Sequence, residues 1–492
     1  MTTNNCLPGV SGLSLYVPRP RVRLSDWCEW SGSPADKVEA VVGRSFRVCA
    51  PGESVYTMAA NAALRLIDAY DVDPTEVGFL GFGTESSTDN AAGAVVIKGM
   101  LDDALVSRGM PILSRSCEVP EVKHACLGGV YAMKAAARYL ASDGRGRKAI
   151  VVSADIAEYE RGSSGEQTQG AGAVAMLLES RPRMFEIDLA QSGSASSYRG
   201  VDFRKPFARH FMDGYATSTK RMHDFPVFNG KYSTMCYIDA VVHALDDMFE
   251  RNGRGRGQFF DEVAAVTCHR PYQHMPVQAM AAALVWGMGR DPSQHDRLRV
   301  LCAEGGLDFE RVLGQLIQSP DLFERLLREG PDSDPFPDAL AAVRTFRSSG
   351  TFRSFVRDKM SLGSELVRDL GNLYTAALPA WIAAAFEDAL GRGDDLTGRS
   401  VLAIGYGSGD AAEAIPLRAT DGWQTAAAKI GVARALQDAV DLTREQYEAL
   451  HDGRPVQLAS HASPGTFVVE KVGERNDAAF QDIGIEYYAY VS

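Results

Sequence analysis

The sequence predicts an α/β protein whose sheets are covered by helices on both faces. Three observations predict it. Short, continuously apolar runs alternate with helix-like runs. Two parts of the chain echo one another weakly. The chain has 492 residues, 45% of them hydrophobic, enough for two or three domains or one large duplicated fold.

Taken in order, "EVGFLGFGT" (76–84) reads as a buried strand followed by a turn, and "VYAMKAAARYLA" (130–141) as a helix. "KAIVVSADIA" (148–157), "GAVAMLLE" (172–179), "EVAAVTCH" (262–269) and "SVLAIGYGSG" (400–409) read as further strands. The segment 290–365 is rich in charge, Pro and Ser. Its patterns "DLFERLLREG" and "FPDALAAVRTF" are amphipathic, which predicts a mostly helical insertion or lid. The echoes pair "DPTEVGFLGFGTES" (73–86) with "QFFDEVAAVTCHRP" (258–271), and "DGRGRKAIVV" (143–152) with "NGRGRGQFFDEVAAV" (252–266). Either the chain is duplicated or turn-plus-strand segments are alike by chance.

Composition narrows the function. The net charge is −12, from 63 acidic and 51 basic residues; such a chain repels phosphate and is a poor nucleic-acid binder. The start "MTTNNCLPGV" lacks a basic and an apolar signal region. The most apolar stretch, "YTAALPAWIAAAFEDAL" (374–390), is broken by Pro379 and falls short of the ~18 apolar residues of a membrane span. The sequence therefore reads as cytosolic, without membrane contact. Its eight cysteines form no CxxC pair, which speaks against a zinc ribbon or a thioredoxin-type motif. No clustered metal ligands are apparent.

One cysteine stands apart. "EVKHACLGGVYAMKAAARYL" (121–140) sets Cys126 at the head of a predicted helix, where the dipole and unpaired N–H groups favour a thiolate. Gly128 and Gly129 allow close packing while leaving the sulfur accessible, and Lys123 and His124 are near enough in sequence to lower its pKa.

The segments "GFGTESSTD" (81–89), "VKHACLGG" (122–129), "VVSADIAEY" (151–159), "TQGAGAVAMLL" (168–178), "DFRKP" (202–206), "GKYSTMCY" (230–237), "HRPY" (269–272), "GNLYTAALP" (371–379) and "GYGSG" (405–409) resemble, in order and over most of the chain, the 3-hydroxy-3-methylglutaryl-CoA synthase family of the thiolase superfamily. The resemblance implies a five-layered αβαβα fold of two similar halves, 1–180 and 181–492, with the helical insertion at about 290–365 in the second. It implies an acyltransferase that joins an acetyl unit to the ketone of an acetoacetyl, or other 3-oxoacyl, thioester. No cofactor or metal is implied, and a homodimer is expected.

By the same resemblance Cys126 is the nucleophile that carries the acetyl group, as a thiolate can. Glu85, in "GTESS", is the base that removes a proton from the acetyl methyl. His269 anchors and polarises the acceptor. Asn372, Tyr374 and Ser408 serve substrate binding and the oxyanion, and Asp155 and Asp202 support acetyl transfer, or else cap a helix or brace a loop. Water then hydrolyses the Cys thioester to a free carboxylate.

The match departs after the histidine. "HRPYQHMPVQAM" carries His274, Val277 and Gln278 where many CoA-using relatives place lysines, and Met275 is shared with relatives that act on acyl carrier proteins in polyketide β-branching. CoA thioesters of isoprenoid synthesis and carrier-protein thioesters are therefore both open as substrates. Docking an acidic carrier needs a local basic patch, for which Arg145, Arg147 and Lys148, or Arg251, Arg254 and Arg256, are candidates against ordinary solvated turns. Two other classes compete: a ketoacyl synthase III-like Claisen enzyme, disfavoured by Glu85, and a non-catalytic scaffold, disfavoured by the intact Cys126, Glu85 and His269 set.

Overall fold

The computed structural model describes residues 7–87, 89–144, 146–199, 202, 226, 229–318, 328–330, 333–458, 463–475 and 479–492. Cys6, Arg145, most of "DFRKP" beyond Asp202, and residues 321–327 of the predicted helix "DLFERLLREG" lie outside them.

Ten strands form one sheet: β1 (Gly9–Tyr16), β2 (Val77–Gly83), β3 (Glu121–Val122), β4 (Lys148–Ala157), β5 (Gly170–Glu179), β6 (Phe185–Ile187), β7 (Gly193–Ser196), β8 (Ala265–Cys268), β9 (Ser400–Gly407) and β10 (Ala411–Ala419). Their order is β8-β9-β10-β6-β1-β5-β4-β2-β3, with β7 also on β10. In the first half β2 and β4 are parallel, and β4–β5 and β5–β1 antiparallel. In the second, β8 and β9 are parallel, and β9–β10 and β10–β6 antiparallel. The pairing pattern thus occurs twice, and the two runs join where Gly9 and Val10 meet Glu186 and Phe185.

This arrangement separates the two sequence echoes. The first falls on β2 and β8, which hold equivalent places. The second sets the approach to β4 against the approach to β8, which do not, so that likeness is one of turn composition.

All five strands predicted above are present. Strand β4 is buried at every residue but Lys148 and Ile156, as expected where both faces are covered. Two central strands escaped the sequence reading. In β1, "GVSGLSLY", the place of a side chain at Gly12 is taken by the Tyr70 ring, 2.6 Å from where a Cβ would stand. In β10, "AAEAIPLRA", the pattern is interrupted by Pro416 and by Glu413, a buried carboxylate paired at 2.5 Å with Lys134.

Helices complete the layers. Helix α1 (Val55–Tyr70) packs on β1, β4 and β5, and α2 (Gly93–Ser107) on α1. Helix α3 (Gly128–Ala141) lies on β2 and β4, and α4 (Lys231–Asn252) on β7 and β10. Then come α5 (His274–Arg290), α6 (His295–Gly305), α7 (Phe309–Leu316), α8 (Pro337–Ser348), α9 (Gly350–Lys359) and α10 (Ala377–Arg392). Helices α6 to α9 fill the described part of 290–365, and α6, α7 and α8 pack on α5. Helix α10, which begins two residues before Pro379, is buried along most of its length. No described helix is long and apolar enough to cross a membrane.

The middle of the molecule is unusually tight. A Cβ on Gly83 of β2 would stand 2.4 Å from Gly129 of α3, and one on Gly405 of β9 would stand 2.6 Å from Leu127. The strand ends and the head of α3 meet here because glycine removes the intervening side chains.

Candidate active site

Helix α3 begins at Gly128, so Cys126 lies just ahead of it, after Ala125, which takes a left-handed φ of 40°. That turn lifts the thiol clear of the helix. Cys126 donates to Glu85 Oε2 at 3.5 Å.

Glu85 follows the end of β2, and Asp155 of β4 fixes its backbone. Asp155 is fully buried. Its Oδ1 accepts from Thr84 Oγ1 (3.0 Å), Glu85 N (2.7 Å), Ser86 N (2.9 Å) and Ser86 Oγ (2.7 Å). Its Oδ2 accepts from Thr375 N (2.9 Å) and from Thr375 Oγ1 (2.5 Å). Burial raises the pKa of this carboxyl and the hydrogen bonds oppose the rise. With its oxygens so occupied, Asp155 acts on the site by holding the loop that carries Glu85.

Cys126, His269, Asn372 and Ser408 line one cavity of about 310 Å³, with Tyr159, Tyr406 and Met275. Glu85 adjoins it through Cys126. Strand ends in the second half of the sheet supply two of these groups: His269 follows β8, and Ser408 follows β9. Asn372 Oδ1 accepts from Tyr374 N at 2.9 Å, so Asn372 offers the cavity its amide N–H groups.

His269 is held from behind. Its carbonyl accepts from Tyr237 Oη at 2.7 Å, its N–H donates to Ile404 O at 2.7 Å, and Tyr406 lies stacked at 6.3 Å. Nδ1 has no hydrogen-bond partner among the described residues. Burial, with Arg270 adding to it, pushes the imidazole pKa down to about 3. A neutral ring keeps one N–H for an oxygen that gains charge.

Tyr374, at φ 44°, is buried against Cys126, Ala157 and Tyr159, its ring 6.5 Å from that of Tyr159. Asp202 accepts from Tyr406 Oη at 2.8 Å. Burial raises its pKa, while hydrogen bonds from Ser233, Tyr406, Gly409 and Ser408 lower it. Asp155, Asp202 and Tyr374 therefore stand behind the cavity wall, and the groups that line it are Cys126, His269, Asn372 and Ser408.

The electrostatic expectation for the thiol is corrected. Burial comes first, then the charges of Glu85 and Asp155, and together they hold the Cys126 pKa well above its ordinary value. Lys123 donates to Ser87 O at 2.5 Å, and His124 packs on Tyr131. Neither is placed to ionise the sulfur, so the resting thiol is protonated and its proton points at Glu85.

The candidate basic patches are also taken up. Lys148 pairs with Glu76 at 2.9 Å, Arg251 with Asp247 at 2.9 Å, Arg254 with Glu262, and Arg256 with Asp246 at 2.7 Å. Arg147 reaches the Val77 carbonyl.

Sequence reasoning assigned no role to Tyr159, Tyr406 or Thr375, although all three lie in the motifs quoted above. Val41 and Val42 line the cavity from an N-terminal helix without any motif, and only tertiary packing brings them there.

Comparison with known proteins bears on this geometry. A family profile described as hydroxymethylglutaryl-coenzyme A synthase N terminal matches residues 6–182. The hydroxymethylglutaryl-CoA synthase of Haloferax volcanii is 27% identical over 437 residues, covering 87% of this chain and 88% of the relative. That of Saccharomyces cerevisiae is 25% identical over 463 residues, covering 90% and 81%. Over most of its length the chain is similar to hydroxymethylglutaryl-CoA synthases. Among solved structures, MvaS in complex with 3-hydroxy-3-methylglutaryl coenzyme A superposes with a TM-score of 0.76 at 25% identity, over 99% of each chain. The curacin-pathway HMG synthase in complex with acetyl donor-ACP gives 0.69 at 20% identity, over 98% of this chain and 100% of that one. The chain thus shares the thiolase-like fold of these synthases.

Proposed function

We propose that the protein is a condensing acyltransferase that joins a Cys126-bound acetyl group to the ketone of an acetoacetyl-type thioester, then hydrolyses the intermediate to a 3-hydroxy-3-methylglutaryl-type product. The observation that carries this reading is the 3.5 Å contact between Cys126 Sγ and Glu85 Oε2, beside a cavity that Cys126 shares with His269, Asn372 and Ser408.

Glu85 accepts the thiol proton as Cys126 attacks the donor thioester, and the departing thiolate takes up a proton. With the carboxylate regenerated, Glu85 removes a proton from the methyl of acetyl-Cys126 to give an enolate. The enolate carbon attacks the acceptor ketone. The neutral His269 N–H donates to the oxygen that becomes an alkoxide, and Asn372 Nδ2 holds the acceptor. The alkoxide collects a proton, and water cleaves the Cys126 thioester. No step requires a metal or redox cofactor.

The finer reading is that a carrier protein, through its phosphopantetheine arm, delivers the substrates. It is supported by the cavity lining, which contains no Lys or Arg among the described residues, and by His274, Val277 and Gln278 at the start of α5. CoA brings phosphates that favour such cations. A division into halves at 1–180 and 181–492, a homodimer and a cytoplasmic location complete the proposal; the repeated strand pairing supports the first.

The test incubates the protein with acetyl-CoA and acetoacetyl-CoA, and separately with their carrier-bound forms, and reads adducts and products by mass spectrometry. Cys126→Ala is expected to lose covalent acetylation. Glu85→Ala is expected to keep acetylation and lose carbon–carbon bond formation; normal condensation by that variant would sink the assignment of the base.

A further inference from the structure

A second cavity, of about 610 Å³, lies between α4, α5 and the helices of the 290–365 segment. It is separate from the catalytic cavity. Thr234 lines the first and Leu245 the second, eleven residues apart on α4, or about 16 Å along the axis. On α5 the matching pair is Met275 and Leu284, about 13 Å apart.

The wall is apolar and built from side chains fixed against one another. Phe249, Phe260, Leu284, Met288 and Phe355 line it. The rings of Phe249 and Phe260 are 5.8 Å apart, and those of Phe260 and Phe355 5.9 Å. A volume of this size with such a wall is the usual form of a small-molecule site.

Charge selects the ligand. The cationic lining groups withdrawn from water are Arg256, whose side chain is 19% exposed, and the half-buried Lys359. The lining acids are all at the rim: Asp261 is 70% exposed, Asp358 51%, and Asp296 and Glu304 are exposed too. Water screens the rim charges far more than the inner ones. The inner cations also have bonding capacity left. Lys359 spends two of its three N–H donors on the carbonyls of Asp261 (2.9 Å) and Val263 (2.8 Å). Arg256 shares the single carboxylate of Asp246 with Arg290.

We propose that this cavity binds a medium-chain apolar carboxylate, its chain on the Phe260–Phe355 wall and its carboxylate on Arg256 and Lys359. Burial of alkyl surface supplies the affinity, and the two inner cations set the sign of the headgroup.

The test is calorimetric titration of the full chain with sodium decanoate and, in a second arm, decylamine. One saturable decanoate site per chain is expected, with decylamine weaker by about tenfold or more. Leu284→Trp, which fills the cavity with an indole, is expected to abolish decanoate binding, and Lys359→Met to weaken it about tenfold. Val300→Trp, at a rim position 60% exposed, gives the same loss without touching the interior, should Leu284→Trp fold poorly. Absence of a saturable decanoate site, equal binding of decylamine, or decanoate binding that survives filling of the cavity overturns the proposal. Survival of that last kind would place the ligand in the catalytic cavity.

Discussion

Replacing Glu85 by Gln is expected to make Cys126 more reactive while abolishing condensation. The carboxylate oxygen lies 3.5 Å from the sulfur, and its charge opposes formation of a thiolate. At an effective dielectric of 20, two unit charges at that distance repel by about 4.7 kcal/mol, and at the dielectric of water by about 1.2 kcal/mol. The first figure corresponds to roughly three and a half decades of thiolate population and the second to roughly one. A less basic thiolate is also a poorer nucleophile, which returns nearly half of the gain. Alkylation of Cys126 by iodoacetamide at pH 8 should therefore accelerate between about threefold and about a hundredfold. The assay is mass mapping of the labelled peptide over time, with Cys49, partly exposed and unlike the other described cysteines not buried, as an internal reference. The same preparation should show no carbon–carbon bond formation. A Glu85→Gln protein that alkylates no faster than the parent would refute the reading that this carboxylate holds the thiol in its protonated form.

His269 and the packing at α3 give two further predictions. The unfolded-state imidazole takes up a proton below about pH 6.5, whereas the buried ring does so only near pH 3. The unfolded state thus binds more protons in that window, and stability is lost as the pH falls through it. At pH 5 the loss from this group is about 2 kcal/mol relative to pH 7, and His269→Asn should remove that part of the pH dependence in urea unfolding; an unchanged slope would show that the ring titrates in the native state. In Gly129→Ala a Cβ would stand 2.1 Å from Ser153 Oγ and 3.0 Å from Thr375 O. The variant should lose about 1–3 kcal/mol in denaturant unfolding and acetylate more slowly, because α3 must back away and carry Cys126 with it. Gly129→Ala/Ser153→Gly should recover part of both, and a double variant no better than the single one would show that the crowding lies elsewhere.

The strands β2, β4, β5 and β9 were legible because residues buried on both faces must be continuously apolar, and that pattern is local. The repeat was legible in part: the echo between 73–86 and 258–271 marks equivalent strands, whereas the Gly-Arg echo marks only similar turns. Strands β1 and β10 were not, since Gly12 is completed by Tyr70 and Glu413 by Lys134, partners remote in sequence. The order of motifs indicated Cys126, Glu85 and His269 as a set, but not how they act together.

What the sequence determined by itself was the class of fold, written in local apolar patterns, and a set of candidate groups, marked by the order of motifs. Only the tertiary structure decided the electrical environment of those groups and which of them face the cavity. It buries Cys126 beside two carboxylates, so the thiol rests protonated rather than ionised. It turns Asp155 into the brace for Glu85 by directing six donor contacts onto it from the loop after β2 and from Thr375. Desolvation and charge proximity depend on which distant segments close around a group, and no local pattern in a chain records that.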